Sequence, residues 1–226
     1  MKKSPPVLKT GTRPSQLART QTRQALDRIE RTLKDVVFEM VVITSTGDTD
    51  RTTDLRESPA DFFTKELDTS LLCGEIDLAV HSAKDLPHPL PNNIQSFWLP
   101  WREDPRDVLV LPHGKTLADL SQTPIIGISS ERREQYCSRR FPEAVQKNIR
   151  GNIEERIEQL DRGDFDIVIM ASAALFRLGM EERITEWIPL EELKVPEGQG
   201  YLAVTYREGD ERISSLHKRL EKLNPA

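Results

Sequence analysis

Four polar side chains follow one short apolar run: His81, Ser82, Lys84 and Asp85 stand together in AVHSAKDLP, which ends at Pro87. A carboxylate in such a place can take part in acid–base chemistry or stabilise developing positive charge, and a lysine beside it can bind an anionic group. The structural alternative is a solvated turn before the proline, with His81 as a hydrogen-bonded interior residue. Taken without its context, the segment favours this structural alternative.

Two arginine clusters each follow an apolar run and begin a segment of helical period. The first has Ser129, Ser130, Arg132 and Arg133 after the run IIGI, and the second is RGNIEER, Arg150 to Arg156. Helix N-termini supply backbone N–H groups and a positive dipole end, and guanidinium groups bind carboxylates or phosphates. The alternative is that the serines and Asn152 only cap helices and the arginines pair with nearby glutamates. If both clusters bind anions, they predict a polyanionic ligand.

The elements that position these clusters are Val- and Ile-rich runs that alternate with helical segments, which predicts an α/β fold with largely parallel sheets. Strand Ile76–Val80 leads to AVHSAKDLP, and strand Ile125–Ile128 leads to the first arginine cluster. In open α/β sheets, ligands bind at the carboxyl ends of strands, where these polar clusters fall. Ser58 and Pro59 predict the start of a helix that runs through Leu72.

The turn-rich segment WREDPRD, Trp101 to Asp107, predicts a boundary between two lobes, because the strand and helix pattern starts again after it. The first α/β lobe is predicted to hold residues 1–105 and 204–226, and the second to hold residues 106–203. A chain of 226 residues suits two cores of modest size.

Composition limits the classes of partner. The net charge of −5, and the mixing of arginines with acidic residues in the second half, argue against a nucleic-acid partner. The longest apolar stretch, Ile167 to Phe176, is too short to span a bilayer, and the N-terminal residues lack the apolar run of a secretory signal. Cys73 and Cys137 stand outside any C-x-x-C spacing. We therefore expect a cytoplasmic chain with reduced thiols, no metal site and no membrane partner.

Eight segments, in the same order along the chain, resemble those of one enzyme family, hydroxymethylbilane synthase, also called porphobilinogen deaminase. They are GTRPSQLARTQ, FTKEL, IDLAVHSAKDLP, REDPRD, ISSERR, RGNIEERIEQLDRGDFD, ALFRLGM and PEGQGYLAV. The resemblance implies two lobes like those of type II periplasmic binding proteins, with a cleft between them. It also implies a transferase of porphyrin and heme biosynthesis, which joins four porphobilinogen molecules into linear hydroxymethylbilane and releases ammonia at each addition.

The resemblance implies roles for individual residues. Asp85 is implied to be the catalytic carboxylate, which accepts hydrogen bonds from pyrrole N–H groups and stabilises the cation left by deamination. Gln21 and Gln199 are implied to shape the cleft, and His81 and Ser82 are expected to support the turn from behind. The residues implied to bind carboxylates of substrate and primer are Arg13, Ser15, Lys84, Ser129, Ser130, Arg132, Arg133, Arg150, Arg156 and Arg177.

The chain departs from the family pattern in three places. The family holds a dipyrromethane cofactor as primer through a thioether to a cysteine of a third, C-terminal domain, and this chain ends at KLNPA, where that domain would begin. We therefore expect the third domain and the covalent anchor to be absent, neither Cys73 nor Cys137 to replace that anchor, and any primer to bind noncovalently. In addition, RESPADF replaces a Gly- and Lys-rich stretch, and Glu131 adds a negative charge beside an expected carboxylate site.

Three other interpretations stay open from the sequence. The first is a noncatalytic module that binds pyrroles or polycarboxylates, or an incomplete enzyme; Asp85 favours the enzyme and the missing anchor favours the module. The second is a solute receptor or an effector domain of a transcription regulator, since fold does not imply function. The third is a piece cut from a longer protein. For the enzyme we expect a monomer whose partners are porphobilinogen and linear polypyrroles.

Overall fold

The structure is a computed structural model that describes residues 7–50, 53–54 and 56–223. The strands of this part are β1 (Val7–Thr12), β2 (Val37–Val42), β3 (Leu78–Ser82), β4 (Ile94–Arg102), β5 (Asp107–Val110), β6 (Ile125–Ile128), β7 (Val145–Asn148), β8 (Ile167–Ala171), β9 (Glu186–Trp187) and β10 (Tyr201–Arg207). Its helices are α1 (Gln16–Leu33), α2 (Thr46–Thr49), α3 (Lys65–Leu72), α4 (Glu131–Arg140), α5 (Ile153–Asp161), α6 (Ser172–Leu178) and α7 (Glu211–Leu223).

The chain divides into two compact units. Unit 1 contains the described residues within Met1–Asp50, Pro59–Arg102 and Gly200–Ala226, and unit 2 those within Arg51–Ser58 and Glu103–Gln199. The predicted boundaries between the lobes lie at residues 105/106 and 203/204, whereas the boundaries between the units lie at 102/103 and 199/200. In addition, a short segment before Pro59 belongs to unit 2. Residues 1–6 and 224–226 of the predicted first lobe lie outside the described residues.

Unit 1 is built on a five-stranded sheet in the order β2-β1-β3-β10-β4. The first three strands are parallel, and β10 runs antiparallel to both of its neighbours, with Val204 opposite Val80 and Phe97. Side chains alternate between the two faces of a strand. Leu78 and Val80 therefore pack with α1 and α7 on one face, and Ala79 packs with α3 on the other.

Unit 2 repeats this plan with a sheet in the order β7-β6-β8-β5-β9. Strands β6, β7 and β8 are parallel, and β5 is antiparallel to β8 and β9. Ile167 and Ile169 of β8 pack against α4 on one face, whereas Val168 and Met170 pack against α5 and α6 on the other. Each unit thus has helices on both faces of its sheet, which leaves the strand ends to carry polar groups.

Two predicted elements have different bounds in the structure. The strand expected at Ile76–Val80 is β3, which runs from Leu78 to Ser82. The helix expected to start at Ser58 and Pro59 begins at Lys65 instead. The intervening residues form tight turns, in which Phe62 N donates to Pro59 O at 3.1 Å and Thr64 N donates to Asp61 O at 3.0 Å. These bonds join residues three apart, so the chain turns there without forming an α-helix.

Within the described residues, none of the helices combines the length and the apolar character that crossing a membrane requires.

Candidate functional site

Asp85 ends a 3-10 turn, Ala83–Asp85, that directly follows β3. The parallel neighbour β1 ends at Thr12, so the residues after it lie at the same edge of the sheet. We call Arg13, Ser15, Lys84 and Asp85 the unit 1 edge. Asp85 is exposed, and its carboxylate makes no hydrogen bond or ion pair with the described part of the chain. Both carboxylate oxygens can therefore accept hydrogen bonds from a ligand.

The 3-10 turn is held by apolar packing on either side of its two charged residues. Ala83 and Leu86 are buried and pack with Ala203 of β10. Burial of these two side chains fixes the backbone of the residues between them, Lys84 and Asp85. The carboxylate is thus presented by a packed turn at a strand end and not by a free loop.

Two polar pairs support the same strand end from the interior. His81 Nε2 lies 2.9 Å from Thr205 Oγ1, and Gln21 Nε2 donates to Ser82 Oγ at 3.1 Å. Burial, and then the charge of Arg13, lowers the pKa of His81 to about 4. The imidazole is therefore neutral near neutral pH, which suits a structural role behind the edge.

Two of the predicted ligand-binding side chains make hydrogen bonds within the protein. Arg13 donates from Nε and Nη2 to Asp48 Oδ1 at 3.1 and 2.5 Å, and its Cζ lies 4.1 Å from the centroid of the Phe63 ring. Burial raises the pKa of Asp48, but the hydrogen bonds and charge of Arg13 outweigh burial and lower it overall. Ser15 caps α1, with Oγ accepting from Ala18 N at 3.2 Å. Contact of Arg13 and Ser15 with ligand carboxylates stays a prediction.

The two arginine clusters meet at one edge of the second sheet. The first cluster follows β6, the second follows β7, and these strands are parallel neighbours. We call Ser129, Ser130, Arg132, Arg133, Arg150 and Arg156 the unit 2 edge. Contact between the clusters is direct, since Arg156 Nη1 donates to Ser129 Oγ at 3.1 Å.

Arg156 lies where several positive charges are crowded. Its Nε donates to Gly151 O at 2.9 Å. Burial of the guanidinium, followed by the charges of Arg133 and Arg150, lowers the pKa of Arg156 to about 10. An anionic group bound here would offset this repulsion, because opposite charge favours the protonated guanidinium.

The backbone at the start of α5 fixes the position of Arg156. Gly151 has a φ of 107°, and a Cβ on it would lie 3.0 Å from the Glu155 Cβ, so a larger residue would be strained. Asn152 Oδ1 accepts from Glu155 N at 2.8 Å, and Glu155 Oε2 accepts from Asn152 N at 2.8 Å. This capping box orders the first turn of the helix.

Ser130 and Arg177 show two further features of the predicted ligand-binding residues. Ser130 is the N-cap of α4, and its buried Oγ has no hydrogen-bond partner in the part of the chain that the structure describes. A buried hydroxyl without a partner is uncommon in folded proteins and can mark a ligand contact. Arg177 is buried in α6, where burial lowers its pKa to about 10 in spite of the charge of Glu103.

Asp107, the first residue of β5, lies opposite Ala171 at the end of β8 and is 1% exposed. Arg133 donates to it from Nε at 3.2 Å and from Nη2 at 2.9 Å, and Arg132 Nη1 lies 2.5 Å from its Oδ2. Gln199 Nε2 donates to Oδ1 at 3.0 Å. Burial raises the pKa of Asp107, but Arg133 and then Arg132 outweigh it and hold the pKa well below its ordinary value.

Sequence reasoning missed Asp107 and Asp48, the two carboxylates that bind predicted ligand-binding arginines. A signal for Asp107 was present, since a charged residue directly before the buried run VLV must be paired. Asp48 lies in the capping-box pattern Ser45-Thr46-Gly47-Asp48, which indicates the start of a helix but not a bond to Arg13.

The two cysteines are free thiols in different surroundings. Cys137 is buried in α4, where burial raises the pKa of its thiol to about 12, and Cys73 is exposed just after α3. Over the described ranges, no group of three or more His, Cys, Asp or Glu side chains is placed to hold a metal ion.

Comparison with known proteins agrees with this geometry. Residues 8–215 match a family model described as "Porphobilinogen deaminase, dipyromethane cofactor binding domain". The chain is 39% identical over 214 residues to porphobilinogen deaminase of Syntrophomonas wolfei, a match that covers 94% of this chain and 70% of that protein. It is 41% identical over 215 residues to the Streptococcus sanguinis enzyme, covering 93% and 70%.

The fold has relatives among two-lobed binding domains. The periplasmic VFT2 domain of Bordetella pertussis BvgS matches with a TM-score of 0.55 at 14% identity, over 96% of this chain and 87% of that domain. The predicted α/β class, with a likeness to periplasmic binding proteins, is confirmed. The sequence matches go further than the fold, and the chain belongs to the porphobilinogen deaminase family of transferases in tetrapyrrole biosynthesis.

Proposed function

We infer that the chain joins four porphobilinogen molecules in steps, with release of ammonia, to give linear hydroxymethylbilane. Its family supports this function, because relatives that match it over nine tenths of its length are porphobilinogen deaminases. The observation on the chain itself that carries the inference is the exposed Asp85 carboxylate at the end of β3. A noncatalytic binding module is not favoured, since such a module would not require this carboxylate.

We propose that Asp85 is the catalytic carboxylate. As the C–N bond of the protonated aminomethyl group breaks, the nitrogen leaves as neutral ammonia with the bonding electrons, and positive charge spreads over the methylene carbon and the pyrrole ring. A carboxylate that accepts a hydrogen bond from the pyrrole N–H stabilises this charge. A free pyrrole α-carbon then attacks the methylene carbon and loses its proton, which Asp85 or a neighbouring water can accept.

The arginine-rich edge supports a ligand with several carboxylates. Porphobilinogen and the growing polypyrrole carry acetate and propionate groups, and guanidinium binds carboxylate in bidentate fashion. In this proposal Arg177 binds such groups, as does the unit 2 edge apart from Arg133, whose guanidinium is bound to Asp107. Lys84 and Arg13 of the unit 1 edge bind others, while Gln21 and Gln199 hold neighbouring groups in place.

The unit 2 edge also fits the dipyrromethane of the matched family. The unpartnered Ser130 Oγ and the crowded Arg156 suit its carboxylates, with Ser129 beside them. When bound, dipyrromethane supplies the free pyrrole carbon to which the first substrate is added. We propose noncovalent binding at this edge, because burial raises the pKa of Cys137, which keeps its thiol protonated, and thioether formation needs a thiolate. Cys73 belongs to unit 1 and is not part of this edge.

We further propose that the chain acts as a cytoplasmic monomer, with porphobilinogen and polypyrroles as its partners and with neither nucleic acid nor membrane. A net charge of −5 supports the first of these exclusions, since binding to a phosphate backbone draws on excess positive charge.

Comparing Asp85→Asn with wild type tests this function, since the variant keeps the shape of the side chain and removes its charge. We expect porphobilinogen to bind with a Kd within about threefold of wild type, and turnover to fall by at least about 100-fold. Glu39→Gln is the matched control, because Glu39 is an exposed carboxylate of β2 outside the unit 1 edge. Equal turnover in the two variants would contradict the role of Asp85.

A further inference from the structure

Asp107 uses all of its bonding capacity within the protein. An ionised carboxylate offers about four acceptor positions. Two hydrogen bonds from Arg133, one hydrogen bond from Gln199 and an ion pair with Arg132 occupy them. Asp107 is buried and has no free acceptor for a substrate, so any effect on catalysis must act through these partners.

The two arginines bound to Asp107 differ in how far their N–H groups are exposed to a ligand. Arg133 has a side chain that is 7% exposed, and both of its hydrogen bonds go to Asp107. Arg132 is 25% exposed, and its other hydrogen bonds with described residues are long, from Nη1 to Lys194 O at 3.3 Å and from Nη2 to Gln199 Oε1 at 3.4 Å. A guanidinium has five N–H donors, and the exposed part of Arg132 can present its remaining donors to a ligand, whereas Arg133 is buried.

Gln199 connects Asp107 to the backbone at the start of unit 2. Its side chain is fully buried, and its Nε2 donates to Pro105 O at 2.6 Å as well as to Asp107. Its Oε1 faces Arg132 Nη2. The orientation of Arg132 is thus defined at two points, by a carboxylate and by an amide that is itself fixed.

We propose that Asp107 is a positioning residue for substrate binding: it holds the guanidinium of Arg132 in one orientation at the unit 2 edge, while Arg133 balances the buried negative charge. The proposal rests on the proposed function, because the group assigned to Arg132 is a carboxylate of porphobilinogen or of the growing product. A guanidinium that is already oriented loses less side-chain entropy when it binds, which strengthens binding without changing the chemical step.

Asp107→Asn tests the proposal, because it keeps the shape of the side chain and removes the charge. We expect KM for porphobilinogen to rise about tenfold while kcat stays within about threefold. We also expect phenylglyoxal to modify Arg132 several-fold faster, as followed by peptide mass spectrometry. The second readout does not depend on activity, so it tests the Asp107 assignment even if wild type fails to turn over porphobilinogen and the proposed function fails.

Asp166→Asn is the matched control. Asp166 also belongs to unit 2, and its Oδ2 accepts from Ile125 N at 2.8 Å at the opposite end of β6. This variant should lose stability while keeping the wild-type KM and the wild-type reactivity of Arg132. If Asp107→Asn has the same KM and the same Arg132 reactivity as Asp166→Asn, the proposal is overturned.

A double-mutant cycle separates action through Arg132 from a second, independent contact. Adding Asp107→Asn to Arg132→Gln should raise KM by less than about twofold, because the group through which Asp107 acts is already gone. Fully additive effects would refute the assignment. If Asp107→Asn does not fold, Asp107→Asn with Arg133→Gln removes both buried charges and should show the same rise in KM.

Discussion

Side chains at the two sheet edges differ in how far the protein itself satisfies them. Asp85 is exposed and bonds to no described residue, whereas Asp107 is buried, accepts three hydrogen bonds and pairs with Arg132. Asp85 can therefore meet a pyrrole N–H directly, and Asp107 can act only by holding its partners. The same distinction separates Arg132, which keeps donors for a ligand, from Arg133.

Burial of His81 makes stability depend on pH. The pKa is about 4 in the folded protein against 6.5 for the free side chain, so the unfolded chain takes up this proton first as pH falls. The contribution of His81 to the free energy of unfolding is complete above about pH 6.5 and is lost as pH falls towards 4. When pH falls from 6.5 to 4.5, the free energy of unfolding of wild type should therefore fall by about 2 kcal/mol more than that of His81→Gln, as measured by urea titration.

Asp68 supplies the control of opposite sign. Burial raises its pKa to about 6 from 3.8, so its contribution is complete below pH 3.8 and is lost as pH rises through 6. Asp68→Asn should therefore gain stability relative to wild type as pH rises from 4.5 to 6.5. A His81→Gln variant with the pH dependence of wild type would contradict a neutral, buried imidazole.

At the scale of elements, the sequence allowed the strands that carry the site to be predicted. Buried strands are runs of Val and Ile, so β6 was predicted with its observed bounds and β3 to within two residues at each end. The arginine clusters were predicted at strand ends, but that these two strands are parallel neighbours is known only from the structure. The start of α3 was missed because Ser58 and Pro59 are also good turn residues.

Contacts between distant residues lay beyond prediction from the sequence. Asp107 binds Arg133, 26 residues away, and Gln199, 92 residues away. No local pattern encodes such a pairing, because it arises when separate strands and helices pack together. The sequence predicted that Arg132 and Arg133 lie at the start of a helix. It did not indicate that Arg133 is buried while Arg132 is partly exposed.

The cap of α5 gives a prediction at this scale. Asn152→Ala removes the capping box and should lower the free energy of unfolding by about 1 kcal/mol. Because Arg156 lies in the following turn, Kd for porphobilinogen should also rise, by about threefold, as measured by calorimetry. Thr116→Ala removes a capping box at the exposed 3-10 turn Leu117–Asp119 and should leave that Kd unchanged. Equal Kd values for the two variants would mean that the cap does not position Arg156.

At the scale of the whole molecule, fold and sequence carry different information. A BvgS periplasmic domain has the same fold at 14% identity, so architecture alone does not indicate the chemistry. The identification comes instead from matches of about two fifths identity along nearly the whole chain, together with charged groups at the strand ends.

The most direct test is to incubate the purified chain with porphobilinogen and to follow substrate loss together with linear tetrapyrrole, measured as uroporphyrin after acid and oxidation. Mass spectrometry of the denatured chain, run in parallel, should show Cys73 and Cys137 unmodified. The account predicts several tetrapyrroles per chain, with Asp85→Asn inactive in the same assay. A folded chain that binds porphobilinogen but forms no tetrapyrrole would contradict it.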